Sequence, residues 1–201
     1  MTAIEIGRLL RAGTSGFVAG CRVTQLSTPS FGDLIRVPLE GDYQIYGLLY
    51  DIHIEDDSLV RQLVTADNVD ETIVLDNRIN RNVPIEMSVL SLGYELDGRI
   101  SYLLPPRPPL SLDVIYACTP AELRRFTLNR GFGYFRHILR AKDMPTGELL
   151  AAHLQKAQQA HLLVDNQVWL DLAIQELITM LRDDYAVLMN LLSALGDAFN
   201  D

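Results

Sequence analysis

The sequence predicts an α+β fold: a β-rich half over residues 1–118, of closed-barrel or sandwich type, followed by a helical hairpin or bundle over 119–201. Two observations carry this. Up to about residue 117, short apolar runs alternate with turn residues at strand spacing. From residue 119, apolar residues recur at the i, i+3, i+4, i+7 spacing of a helix face. The change of period falls at Thr119-Pro120-Ala121-Glu122, where Thr stands as N-cap, Pro at N1 and Glu at N3. That is the pattern of a capping box.

Taken in order, the predicted strands are the opening segment from Ile4, then 16–23, 33–39, 43–55, 72–75, 86–96, 100–104 and 113–118. Gly13, Gly32, Gly41-Asp42, Asp67-Asn68 and Asp97-Gly98 punctuate them. Asp97-Gly98 between Leu96 and Arg99 is a hairpin signal. The segment 58–64 fits a short helix or a further strand equally. In the second half, Leu123 and Phe126 and then Tyr134, Phe135, Ile138 and Leu139 follow helical spacing. Gly131 and Gly133 break that stretch in two. Thr146 is expected to cap the next helix, which carries Leu149, Leu150, Leu154 and Ala157. Asp165-Asn166 makes a turn, and a single long helix with an apolar stripe from Trp169 to Leu195 closes the pattern.

Composition narrows the function classes. The 201 residues carry 17 Lys+Arg and 26 Asp+Glu, a net charge of −9. A protein that coats DNA without sequence preference shows a basic face, and the whole-chain charge argues against one. No apolar run reaches the roughly 20 residues that span a bilayer. The N-terminal residues lack the basic-then-apolar pattern of a secretory signal. Cys21 and Cys118 form no CxxC and read as buried thiols of a reducing compartment, so a cytoplasmic location is expected.

Three segments then carry a resemblance. They are Ile6-Gly7-Arg8 followed by Gly16-Phe17-Val18, Phe31-Gly32-Asp33-Leu34-Ile35-Arg36-Val37, and Tyr43-Gln44-Ile45-Tyr46-Gly47-Leu48-Leu49-Tyr50-Asp51-Ile52. In that order, with the proline-rich 105–109 and the strand after it, residues 4–118 resemble the HAS barrel. This is the small closed β-barrel at the N-terminus of HerA-type DNA translocases and of rotary ATP synthase subunits. The resemblance implies a barrel that organises a ring of ATPase subunits and offers a docking surface to a partner nuclease. The sequence departs from the family after the barrel. A Walker A loop needs GxxxxGK[ST], because glycine amides cradle the phosphates and the lysine reaches the terminal ones. Lys142 and Lys156 are the only lysines, and neither sits in such a run. Any ATP hydrolysis is therefore expected from another chain.

Several constellations are candidates for chemistry. Asp51, His53 and Glu55 alternate along one predicted strand and so share a face, as a divalent metal site would require. The simpler reading places Tyr50, Ile52 and Ile54 in the core and the polar set in water. Arg78 and Arg81, in the polar segment 76–82, suit a partner carboxylate or phosphate; an inter-strand connector is the plainer reading. Pro105-Pro106-Arg107-Pro108-Pro109 suits a polyproline ligand, or a stiff entry to the last strand. Arg124, Arg125, Arg130, Arg136, Arg140 and Lys142, against Glu122 alone, give 120–142 a net charge of +5. With Phe126, Phe132, Tyr134 and Phe135 interleaved, the segment suits nucleic acid. It equally suits docking onto the chain's own acidic barrel or onto an acidic partner. His153 and His161 share a helix face but stand two turns apart, too far for one metal. The serine-rich stretches lack a Gly-x-Ser-x-Gly elbow.

The expectation is a non-catalytic adaptor or assembly subunit with no cofactor. It would dock to a HerA-type ATPase or nuclease, or form a homo-oligomer, in DNA processing. Arg78, Arg81, Arg124, Arg125, Arg130, Arg136 and Arg140 are the candidate contact residues. A nucleic-acid-binding module using Arg124–Lys142, and a metal-dependent enzyme at Asp51, His53 and Glu55, are the alternatives.

Overall fold

The structure, a computed structural model, describes residues 4–22, 29–54, 58–80, 84–129 and 131–199. Among the described residues, seven strands form the N-terminal half: β1 (Ile4–Ala12), β2 (Gly16–Cys21), β3 (Leu34–Pro38), β4 (Tyr43–His53), β5 (Ile85–Leu96), β6 (Arg99–Ser101) and β7 (Val114–Ala117). Their order is β2-β1-β7-β3-β4-β5-β6, and β2 also pairs with β5. That last pairing closes six strands into a barrel, with β6 added to the upper part of β5 as a hairpin. The hairpin turns on Asp97 and Gly98, at φ 50° and 74°, the left-handed pair that a two-residue turn needs.

Alternation decides what fills the barrel. Ile35 and Val37 of β3, Ile45 and Leu49 of β4, and Met87 and Val89 of β5 point inward and join Ile6, Leu9, Phe17 and Ile115 in one buried cluster. The opposite parity does not face water everywhere. Leu34, Tyr46 and Leu48 are buried too, in a second cluster built mainly by the helices. β4 is thus buried on both faces, and the helical half packs directly on the barrel's outer wall.

Between β4 and β5 stand two helices, α1 (Ser58–Thr65) and α2 (Glu71–Ile79). The first settles a segment that the sequence left open. The second corrects the strand expected at 72–75. Thr-Ile-Val-Leu has strand propensity, but Asp70 caps the helix by accepting from Thr72 N at 2.8 Å, and the cap prevails over a weak propensity. The polar segment 76–82, expected as a connector, continues α2 to Ile79.

Among the described residues, five helices follow the barrel: α3 (Pro120–Leu128), α4 (Phe135–Arg140), α5 (Thr146–Leu162), α6 (Trp169–Met180) and α7 (Tyr185–Phe199). The capping box is present with both of its hydrogen bonds. Thr146 is not an N-cap; it is the first residue of α5, and its hydroxyl turns back to Met144 O. The expected single helix over 169–195 is two. Asp184 accepts from Val187 N at 3.2 Å and starts α7 afresh after Arg182-Asp183.

Gly32 sets how closely the two halves approach. Its φ is +83°, and a Cβ there would lie 2.8 Å from Ala152 Cβ on α5. Only glycine meets both conditions without strain.

Candidate functional site

The basic segment of α3 and α4 turns largely inward, onto the barrel. Glu95 stands near the end of β5, paired with Gln44 beyond the bulge at Leu92 that turns it to the barrel's outer wall, and it is 6% exposed. A carboxylate buried there needs donors. Arg125 supplies two, Nη1 to Oε1 at 2.6 Å and Nη2 to Oε2. Tyr46 OH donates at 2.8 Å and Gln44 Nε2 at 2.6 Å. Burial pushes the carboxyl's pKa up. The hydrogen bonds from Arg125, Gln44 and Tyr46, with the guanidinium charge, outweigh it and hold the pKa below the ordinary range. The Tyr46 phenol is pushed up, first by burial and then by Glu95.

Further polar ties run along the same seam. Arg36 Nε on β3 lies 2.8 Å from Glu122 Oε1, an ion pair rather than an aligned hydrogen bond. Glu122 is also the N3 residue of the capping box, so the pair fixes the first turn of α3 to the barrel. Lys156 on α5 pairs with Asp33, just before β3. Arg124 Nη1 donates to Ala160 O at 3.0 Å. Arg136 Nη2 and His137 Nε2 both reach Tyr102 O, the latter at 2.6 Å.

The predicted basic surface is thereby divided. Arg124, Arg125 and Arg136 are engaged within the chain, Arg140 and Lys142 are exposed, and Arg130 lies outside the described residues. Arg78 is exposed in the last turn of α2, and Arg81 lies outside the described residues. The structure therefore brings Arg124, Arg125 and Arg136 to one seam and leaves Arg78 elsewhere. Asp51 and His53 both stand exposed at the end of β4, opposite Ser88 and Glu86. Glu86 is held by Arg11 at 2.8 Å. Glu55 lies outside the described residues, and among the described residues no group of three or more His, Cys, Asp or Glu is placed to hold a metal ion. Ile54, expected in the core, is 54% exposed. The proline-rich segment lies on the barrel, with Pro105 and Pro109 buried, and Arg107 stacks over the Tyr43 ring at 5.6 Å. Cys21 and Cys118 are free thiols.

Two histidines that spacing left as core or surface are both fully buried. His153 Nε2 meets Tyr134 OH at 3.2 Å, and its Nδ1 faces Gly32 O at 3.4 Å. His161 stacks on Trp169 at 4.4 Å between centroids and meets Thr127 Oγ1 at 2.8 Å. Burial depresses both pKa values to about 4, so both rings are neutral in the fold. Sequence periodicity carried no sign of the Glu95 site, because the bulge at Leu92 turns Glu95 to the barrel's outer wall. Its partner 30 residues on had none either.

These features define a closed six-stranded barrel with a helical half fixed to its outer wall by ion pairs. Among the described residues, no helix is long and apolar enough to cross a membrane. No protein-family model matches the chain, and no curated protein matches it either.

Proposed function

We propose that the chain is a non-catalytic adaptor or assembly subunit, a HAS-like barrel that docks to a HerA-type ATPase or nuclease in DNA processing. The observation that carries the reading is the filled barrel. Ile6, Leu9, Ile35, Val37, Ile45, Leu49 and Met87 are wholly buried inside it. A barrel packed with its own side chains is a rigid scaffold rather than a ligand chamber, so its use lies in what its outer surface engages. The inward turn of Arg124, Arg125 and Arg136 supports the same reading, since self-docking consumes cations that nucleic acid would need. The 201 residues contain no Walker A run, so a motor in this system is a separate functional unit.

The test is recovery of the tagged protein from its native lysate, with complex mass measured by light scattering. A P-loop ATPase or nuclease at fixed stoichiometry supports the proposal. Recovery with neither refutes it. DNA binding that weakens steeply with salt, and persists without a protein partner, would replace it with a nucleic-acid-binding module.

A further inference from the structure

The strands β4 and β5 are antiparallel neighbours, and His53 pairs directly with Glu86. Two to five residues suffice for such a hairpin. Here the connection runs from residue 54 to residue 84 and contains α1 and α2. Among its described side chains, 59–80, none is buried. Neither helix, among the described residues, packs closely against another element. Yet this arm is apolar: Leu59, Val64, Ile73, Val74, Leu75 and Ile79 are between 38 and 79% exposed. Helices of eight and nine residues are marginal in water, and in proteins a packed apolar face holds them. This arm has the face and lacks the packing.

A second uncovered surface adjoins its root. Leu10 is 36% exposed and touches the space beside Gly20 together with Pro84, the residue before β5. Next to Leu10 lies the turn Leu110-Ser111-Leu112, whose two leucines are 73% and 69% exposed. The turn is held rigidly. Leu112 N donates to Leu9 O at 2.8 Å, Ser111 Oγ to Leu10 O at 3.1 Å, Arg8 Nη1 to Leu112 O at 3.2 Å, and Leu110 N to Asp113 Oδ2 at 2.7 Å. Leu112 has φ +73°, a conformation that is costly for a branched side chain. Four hydrogen bonds thus hold a strained backbone that presents two leucines to solvent.

We propose that the occupant of both surfaces is a second copy of this chain, the arm of each protomer lying over the Leu10–Leu112 surface of the other. The inference rests on the reading of the chain as an assembly subunit and deepens it. Two arguments select a second copy. First, arm and surface meet at Pro84, so one two-fold axis there satisfies both at once, as an isologous dimer requires. Second, the area fits. The arm's six apolar side chains and the three leucines, at roughly half exposure, present on the order of 800 Å² per protomer, which is what a standard interface buries on each partner. The largest apolar patch of an ordinary monomer is about 300–600 Å².

The experiment is sedimentation equilibrium of the full chain from about 1 to 100 μM, a range that spans ordinary dimer affinities, alongside two variants. In one, residues 55–84 are replaced by Asn-Gly, which joins Ile54 to Ile85 in the existing register. In the other, Leu112→Asn removes the apolar side chain while suiting the left-handed backbone, so the protomer keeps its fold. The wild type is expected to be dimeric. Both variants are expected to be monomeric, a loss of at least tenfold in association, with circular dichroism unchanged in Leu112→Asn and lowered in the deletion by the helical signal of α1 and α2 alone. A monomeric wild type across the range would overturn the inference. So would a dimer that survives in either variant. If the monomer still recovers an ATPase or nuclease from lysate, the adaptor reading stands and the arm belongs to that partner.

Discussion

Replacing Arg125 with methionine tests whether this arginine belongs to the fold or to a surface. The change leaves Glu95, 6% exposed, with Tyr46 and Gln44 as its remaining donors. Breaking a buried pair by removing one partner costs about 3–5 kcal/mol. Arg125 keeps 47% of its side chain in water, which places this pair at or below the lower end, about 2–3 kcal/mol. Glu95→Gln removes the charge but keeps an acceptor, and should cost about 1–2 kcal/mol. The double variant should cost about as much as Arg125→Met alone, a coupling of at least 1 kcal/mol. Urea denaturation reads all four proteins. Trp169, the only tryptophan and 2% exposed, reports the helical half, and far-ultraviolet circular dichroism reports both halves. Strictly additive costs, or an Arg125→Met cost under about 0.5 kcal/mol, would refute the reasoning and return Arg125 to the set of surface cations available to a partner.

Three other outcomes are expected. His153 and His161 have pKa values of about 4 in the fold against about 6.5 unfolded. On acidification the unfolded chain takes up these protons first. The stabilisation is therefore complete above pH 6.5 and lost as pH falls from there through 4, by about 3 kcal/mol for His153; a urea midpoint as high at pH 5 as at pH 7.5 would contradict this. Gly32→Ala places a methyl against Ala152 at a φ of +83° and should cost about 2–3 kcal/mol, read as a fall in thermal midpoint; a neutral change would show that α5 shifts freely off the barrel. Thr119→Ala removes the acceptor for Glu122 N and should cost about 1 kcal/mol, with Thr119→Ser recovering most of it in the same melt.

What the sequence reveals and what it hides divides along a physical line. Features set by neighbours in the chain were legible. The alternation of β3, β4 and β5, the Asp97-Gly98 turn and the Thr119–Glu122 box each depend on a few adjacent residues. The long stripe misled because Leu181 and Leu188 stand seven apart, a spacing that keeps the helical phase across the break. The counter-signal was Arg182-Asp183-Asp184, three charged residues ending in a good N-cap. The segment 72–75 misled in the other direction, since its β-branched residues outweighed Asp70 to the eye. The seam was hidden for a different reason. Arg125 and Glu95, or Lys156 and Asp33, meet only after the barrel has closed and the helices have folded back, and no local spacing encodes that. The arginines of 120–142 read as a surface because their count is visible and their partners are not.

The strand order carries a consequence for how the chain is made. β7 sits between β1 and β3, pairing Ile4 and Ile35 alike with Ala117. The first strand of the barrel therefore waits for the last. Until residues 114–117 leave the ribosome, β1 and β3 each present a row of unpaired amides and carbonyls, the template for joining a stranger's strand. The capping box begins two residues later, so the signal that starts the helical half emerges just as the gap can be filled. A chain halted within the proline-rich stretch would hold six strands and two open edges. Such a nascent product should be the one that chaperones hold longest.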